Sequence, residues 1–115
     1  MKYLLMIYGN EAEYNARMSE EDIQADIAAY YAYDALLGDR MIVGEALQSV
    51  NTAKTVRVRD SRMMITDGPF AETKEQLGGF YLVDCKDLDE AIELAAQIPG
   101  AKDGSIEIRP CVVFE

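Results

Sequence analysis

The sequence predicts an α+β domain built from two βαβ units with a β-hairpin between them. Two segments with helical spacing each begin at a capping residue and lie between runs of strand length. Between the two units, an alternating segment turns back on itself and predicts the hairpin. The chain has 115 residues, of which 50% are hydrophobic and 28% are charged. We therefore expect one folded domain over residues 1–115.

The first predicted strand and the first predicted helix are separated by a polar segment. Lys2 to Tyr8 is mostly apolar and has the length of a buried strand. Gly9 to Met18 is polar and is predicted to be a link. Ser19 and Asp22 have the spacing of a capping box, so we expect the first helix to begin there.

The first helix is predicted to place one stripe of side chains against the sheet. The stripe follows spacings of three and four residues and consists of Ile23, Ile27, Tyr30, Asp34 and Leu37. Gly38 is expected to cap the helix C-terminus. Met41 to Leu47 predicts the second strand, in which Gly44 indicates a bulge or a close approach of the backbone.

The inserted hairpin is predicted to combine Thr55 to Arg59 with Arg62 to Thr66. The first segment alternates with a period of two, and Asp60-Ser61 can form the turn. Asp67 to Phe70 ends the returning strand, because proline lacks the amide that a ladder needs and glycine permits positive φ. We expect a loop there, with one helical turn over 72–74.

The second unit repeats the pattern of the first. Phe80 to Val83 predicts a strand, and Asp87 predicts the N-terminal cap of a helix over 88–98. The buried stripe of this helix is predicted to be Leu88, Ile92 and Ala95. Ser105 to Arg109 predicts the last strand, and Pro110 confines it to a sheet edge or to its own end.

This element order is typical of a ferredoxin-like fold, in which an antiparallel sheet carries both helices on one face. The other face of the sheet is then left uncovered. A small protein with a largely apolar uncovered sheet usually pairs with a second copy of itself. We therefore expect a homodimer, a dimeric α+β barrel with a cavity inside each half.

Charge and residue content disfavour several classes of function. Eleven cationic and 21 acidic side chains give a formal net charge of -10, so nucleic acid and anionic membranes are poor partners. No segment has the roughly 20 apolar residues of a membrane span, and the short apolar N-terminal run lacks a signal-peptide cleavage pattern. We therefore expect a cytoplasmic protein.

Histidine is absent, which removes every histidine-based catalytic pair and the commonest transition-metal ligand. The two cysteines, Cys85 and Cys111, lack the C-x-x-C spacing of metal and redox motifs. We expect them to be buried structural thiols. The sequence thus indicates neither a metal nor a cofactor.

The segment from Asp67 to Phe80, DGPFAETKEQLGGF, strongly resembles the signature of the DGPF branch of the YCII-related protein family. The resemblance extends to MKY at the N-terminus, GEAL at 44–47, TVRVR at 55–59 and IEIRP at 106–110. It covers nearly the whole chain and implies the same ferredoxin-like dimer.

Most DGPF-type members of this family have no assigned reaction, so the resemblance implies a fold more than an activity. Members near the YCII end carry a histidine paired with an aspartate, and one relative removes chloride from a hydroxylated aromatic ring. Because this sequence has no histidine, that pair does not carry over. Some DGPF-type proteins are associated genetically with extracytoplasmic-function sigma factors, which implies a regulatory role as an alternative.

Seven residues are candidates for a functional site. The catalytic candidates are Asp34, Asp67 and Lys74, and the ligand-binding candidates are Glu45, Glu72, Tyr81 and Arg109. Asp34 lies in the stripe that faces the sheet, where a carboxylate serves as an acid or base, reaches solvent near the helix end, or is held by an arginine such as Arg40 or Arg109.

A carboxylate and a lysine together could abstract a proton and stabilise the resulting enolate or phenolate. The alternative is structural: Asp67 caps the turn, while Glu72 and Lys74 form solvated pairs. On the hairpin, Arg57, Arg59 and Arg62 form a basic patch that attracts an anionic partner or is simply solvated.

Two functions stay open from the sequence, and with them the question of whether the chain is an enzyme. The first is a homodimeric domain that binds a small oxygenated or aromatic molecule in the barrel cavity. Such a domain could act as a cofactor-free lyase, isomerase or oxygenase. The second is a regulatory or scaffolding protein whose acidic surface or hairpin contacts a protein such as an extracytoplasmic-function sigma factor.

Overall fold

The elements follow one another in the predicted order, with one helix added. The structure, a computed structural model, describes residues 1–114. Its helices and strands are β1 (Lys2–Gly9), α1 (Glu11–Arg17), α2 (Glu20–Leu37), β2 (Met41–Ala46), β3 (Lys54–Arg59), β4 (Arg62–Asp67), β5 (Gln76–Asp84), α3 (Leu88–Ala96) and β6 (Ser105–Pro110).

Four of the strands form one antiparallel sheet in the order β2-β5-β1-β6. This is the strand order of a split βαβ arrangement, and it confirms the ferredoxin-like fold class. β6 is an edge strand, as Pro110 predicts, because the missing amide of a proline is tolerated there. β3 and β4 form a separate two-stranded sheet, the predicted hairpin.

The hydrophobic core lies between this sheet and the two longer helices. Alternate residues of the two central strands point towards the helices, and Tyr3, Leu5, Tyr81 and Val83 are buried there. The helices contribute Tyr33 and Leu37 from α2 and Ala91, Leu94 and Ala95 from α3. Within the described residues, no helix covers the opposite face of the sheet.

Helix α2 begins and ends where the sequence predicts. The Ser19 hydroxyl accepts a hydrogen bond from the Asp22 amide at 3.1 Å, and the Asp22 carboxylate accepts one from the Ser19 amide at 3.1 Å. This is a complete capping box. Gly38 ends the helix with a φ of 55°, which a residue without Cβ adopts at low cost.

The predicted stripe of α2 is wrong in part. Tyr33 is buried, whereas Ile27 is 43% exposed. The alanines, tyrosines and isoleucines of this helix lie on most of its sides, so their spacing alone does not identify the buried face. The contact of the Tyr33 ring with Tyr81 of β5 sets the rotation of the helix.

The stripe of α3 is also wrong in part, because Leu88 and Ile92 are about half exposed. The residues that meet the sheet are smaller, namely Ala91, Leu94 and Ala95, followed by Ile98 after the helix. Alanine side chains let a helix approach a sheet closely. The close packing gained in this way decides which face of the helix is buried, even though larger apolar residues lie on another face.

Two local predictions between elements are wrong. The segment predicted as a polar link contains α1, which Asn10 caps by accepting a hydrogen bond from the Glu13 amide at 3.0 Å. No residue of α1 is buried, so no apolar stripe could indicate it. The helical turn predicted over 72–74 is wrong, because this segment is irregular and contains a single bend at Lys74.

Cys85 directly follows β5 and Cys111 directly follows β6, and their amides donate hydrogen bonds of 2.9 Å to the carbonyls of Met1 and Lys2 at the start of β1. Cys85 is buried, as predicted, while Cys111 is half-buried, and both are free thiols. Among the residues that the structure describes, no helix is long and apolar enough to cross a membrane.

Candidate functional site

The open face of the sheet carries two rows of side chains that combine an apolar centre with charged margins. Residues directly opposite each other on neighbouring strands share a face, so the register defines the rows. One row is Val43, Leu82, Leu4 and Arg109, and the other is Glu45, Phe80, Met6 and Glu107. The four central side chains are half-buried although no element covers them.

The charged side chains at one margin of this face form an ion pair with each other. Arg109 Nε lies 3.2 Å from Glu107 Oε2, which forms an ion pair along the β6 margin. Glu45 stands alone at the β2 margin and is exposed. A molecule lying on the face would therefore meet apolar atoms in the middle and carboxylate or guanidinium groups at both sides.

An open groove of about 910 Å³ adjoins the same face, where β1 ends and β6 begins. Lys74 and Glu75 form its loop side, and Tyr8, Ser105 and Glu107 form its sheet side. The Ser105 hydroxyl donates a hydrogen bond of 2.7 Å to the Glu75 carboxylate and so ties the loop to the strand. This hydrogen bond holds the loop side of the groove against its sheet side, and the exposed Lys74 lies at the rim of the groove.

Gly104 makes the close packing at this end of the sheet possible. A Cβ at this position would lie 2.0 Å from the carbonyl oxygen of Tyr8. Only glycine therefore lets the chain before β6 approach the end of β1. The Asp103-Gly104 pair is a turn signal in the sequence, and it is the one local signal that could have indicated the groove.

Asp34 and Tyr81 lie on the opposite, helix-covered face. The Tyr81 hydroxyl donates a hydrogen bond of 2.6 Å to Asp34 Oδ1, and the Tyr81 ring meets the Tyr33 ring edge-on at 5.1 Å. Tyr81 is only 6% exposed. Burial, followed by the hydrogen bond to the carboxylate, raises the pKa of Tyr81.

Gly44 of β2 is part of the same arrangement. It lies directly opposite Tyr81, and a Cβ at this position would lie 2.6 Å from the Tyr81 ring. The close approach that the sequence predicts at Gly44 is confirmed, and it positions the ring that reaches Asp34. The strand irregularity lies nearby, between Met41 and Val43.

Asp67 and Glu72 lie away from both of these places. Asp67 ends β4, forms an ion pair with Lys54 across the base of the hairpin, and its side chain is 85% exposed. Gly68 follows with a φ of 93°, and its amide donates to the Ala53 carbonyl at 2.8 Å. Glu72 borders a separate hollow of about 250 Å³.

The seven residues named from the sequence are thus divided among three places. Glu45, Arg109 and Lys74 lie at the open face or at its groove, Asp34 and Tyr81 lie under α2, and Asp67 and Glu72 lie at or beyond the hairpin base. The sequence did not identify which residues form the apolar centre of the face, nor the groove residues other than Lys74. These groups come from β1, β5, β6 and two loops, so only the sheet register brings them together.

An antiparallel four-stranded sheet with both long helices on one face and an open second face defines a ferredoxin-like α+β protein. The profile of the YCII-related domain matches residues 1–115. This chain belongs to the YCII-related family, which confirms the resemblance carried by the segment from Asp67 to Phe80.

Two known proteins show how far this similarity extends. An uncharacterized protein of Rhizobium meliloti (strain 1021) is 37% identical over 119 residues, which cover 100% of this chain and 95% of the relative. The solved structure of 5-chloro-2-hydroxyhydroquinone dehydrochlorinase (TftG) from Burkholderia phenoliruptrix AC1100, in complex with 2,5-dihydroxybenzoquinone, is similar at a TM-score of 0.57. That match covers 97% of this chain and 94% of TftG at 15% identity, and it shows a shared fold.

Proposed function

We propose that this chain binds a small oxygenated or aromatic molecule on the open face of its sheet, beside the groove that contains Lys74. The observation that carries the proposal is the pair of rows across this face. A flat ring fits the apolar centre, and its oxygen substituents reach Glu45 at one margin or Arg109 at the other.

The charged groups suit a ligand with oxygen substituents. Lys74 and Arg109 donate hydrogen bonds to anionic or carbonyl oxygens, whereas Glu45 and Glu107 accept them from hydroxyl groups. The structure of TftG in complex with 2,5-dihydroxybenzoquinone, on the same fold, supports a ring of this class. Both lines of argument favour a phenol, a quinone or a related compound.

The proposal includes a homodimer in which a second copy covers the open face. The chain is a plate with extents of 48 × 46 × 19 Å, and one broad side carries the half-buried apolar centre. Two such faces brought together remove their apolar side chains from water and leave an enclosed space between the charged margins. That space corresponds to the barrel cavity predicted from the sequence.

Proton abstraction is the chemistry that these groups support. At the β6 margin, a hydroxyl of the ring gives its proton to the Glu107 carboxylate, and the neighbouring Arg109 or Lys74 stabilises the resulting phenolate. Such a step is common to cofactor-free lyases, isomerases and oxygenases, which is the reaction class that we propose. Asp34 and Asp67 take structural roles in this proposal, because the first holds Tyr81 and the second holds Lys54.

A thermal-shift screen against small phenols, quinones, keto acids and amines tests the proposal. A ligand at about 100 times its dissociation constant adds roughly 2.7 kcal/mol to the free energy of unfolding, a rise of several degrees for a domain of this size. We expect Lys74→Ala to lose most of this shift while its folding is retained, because Lys74 is exposed.

Lys86→Ala is the matched control, since Lys86 is an equally exposed lysine at the other end of the sheet. It should keep the full shift. A screen without any saturable shift would argue against the binding function and favour the regulatory alternative. Equal losses in both lysine variants would show that net charge, and not the groove, determines binding.

A further inference from the structure

The β3–β4 hairpin stands apart from the rest of the fold. Among residues 1–114, its two strands pair only with each other, and every residue of β4 is exposed. A two-stranded hairpin without a packed face has little stability of its own in water. The hairpin therefore needs a contact that one chain does not supply.

One face of the hairpin is apolar. Val56 lies opposite Ile65, and Val58 lies opposite Met63, so the four side chains form one patch. Val58 is 61% exposed and Met63 is 68% exposed. A contiguous exposed patch of this kind is typical of protein contact surfaces.

The other face and the tip are basic. Arg59 lies directly opposite Arg62, and like charges in that position destabilise a strand pair. The turn between them, Asp60-Ser61, has φ angles of 52° and 61°. Within residues 1–114, the side chains of Arg57, Arg59 and Arg62 form no ion pair.

The remainder of the chain has the opposite charge. Of the 11 cationic and 21 acidic side chains, the hairpin segment 54–67 contains four cations and two carboxylates. The body, which we define as all residues outside 54–67, therefore contains seven cations and 19 carboxylates. The basic hairpin and the acidic body are electrostatically complementary.

We propose that the hairpin is an arm that docks on the acidic body of a second copy of this chain. The arm's arginines meet carboxylates of the partner, and its apolar patch is removed from water. Because the two copies are identical, the contact is reciprocal and each chain gives and receives one arm. The inference rests on the homodimer included in the proposed function and adds a second contact to it.

The dimensions of the chain support an arm that reaches outward. The radius of gyration is 16.1 Å, whereas a compact domain of this length has about 13 Å.

Charge reversal at the arm tip separates docking from hairpin folding. Arg59→Glu places opposite charges at the 59/62 pair, so the hairpin itself gains stability. Docking on an acidic body instead loses an attraction and gains a repulsion. We expect the dimer dissociation constant, measured by sedimentation at about 0.05 M salt, to rise at least about tenfold, and the effect to shrink at about 0.5 M salt.

Lys102→Glu is the control with the same change of net charge, because Lys102 is exposed and lies outside the hairpin. It should change the dissociation constant by less than about twofold. A second variant, Val58→Ser with Met63→Ser, should weaken the dimer at both salt concentrations, since its effect is apolar.

If the wild type is a dimer and neither Arg59→Glu nor the Val58→Ser, Met63→Ser variant changes the dimer dissociation constant, the arm is overturned and the homodimer is not. A wild-type monomer at tens of micromolar would overturn both. Ligand binding is measured separately in the thermal-shift screen with the Lys74 variant, so its failure is distinguishable from failure of the arm.

Discussion

At the scale of single residues, four positions determine how α2 packs on the sheet. Gly44 leaves room for the Tyr81 ring, the ring contacts Tyr33, and the Tyr81 hydroxyl reaches Asp34. A carboxylate on the sheet-facing side of a helix requires a donor, and the Tyr81 hydroxyl supplies it. The sequence indicated Asp34 as unusual, but the partner is 47 residues away.

Gly44→Ala should destabilise the protein by about 1–3 kcal/mol, because the new methyl group would displace a packed ring. Urea denaturation measures the change, with Gly9→Ala as the control, since nothing lies within 4 Å of a Cβ there. The cost should largely disappear in a Tyr81→Val background, where the ring is absent. Equal costs in the two glycine variants would contradict this interpretation.

At the scale of elements, the helix ends were more predictable than the helix faces. The capping box at the start of α2 and the cap of α3 are local features whose partners lie three residues apart. The buried faces depend on what lies across from the helix. The helical spacing therefore predicted that the large apolar residue Ile92 faces the sheet, whereas Ala91 is the residue that packs there.

Ser19→Ala should lower the free energy of unfolding by about 1 kcal/mol, since it removes the acceptor for the Asp22 amide. Hydrogen exchange should show lost protection in the first turn of α2 and little change in α3. Gln24→Ala, on the exposed surface of the same helix, should stay within about 0.5 kcal/mol of the wild type. Matching losses in both variants would show that the cap is not the cause.

At the scale of the whole molecule, buried and half-buried tyrosines connect its parts and set its response to alkali. Tyr33 donates to the Leu94 carbonyl at 2.8 Å, and the Tyr30 hydroxyl accepts from the Gly100 amide at 3.1 Å. Tyr14 donates to Asp26 at 3.0 Å. Burial raises the pKa of each of these tyrosines, and for Tyr14 to about 12.

The free energy of unfolding should therefore fall as the pH rises above about 10, the usual pKa of tyrosine in an unfolded chain. Above that pH the unfolded chain loses protons that the folded chain still holds, so alkali favours unfolding. Urea titrations across this range measure the slope. Tyr81→Phe should reduce it, whereas Tyr31→Phe, on an exposed position, should not. A flat profile up to about pH 11 would contradict the buried-phenol assignment.

The sequence by itself determined the element order, the caps of α2 and α3, the hairpin with its Asp60-Ser61 turn, and the family. Each of these depends on residues close together in the chain or on a contiguous motif. Tertiary structure alone decided which faces are buried and where the candidate residues lie. Glu45 and Arg109 share the open face because of strand register, while Asp34 faces the other side because Tyr33 and Tyr81 set the rotation of α2. Such pairings join distant residues, and no local spacing encodes them.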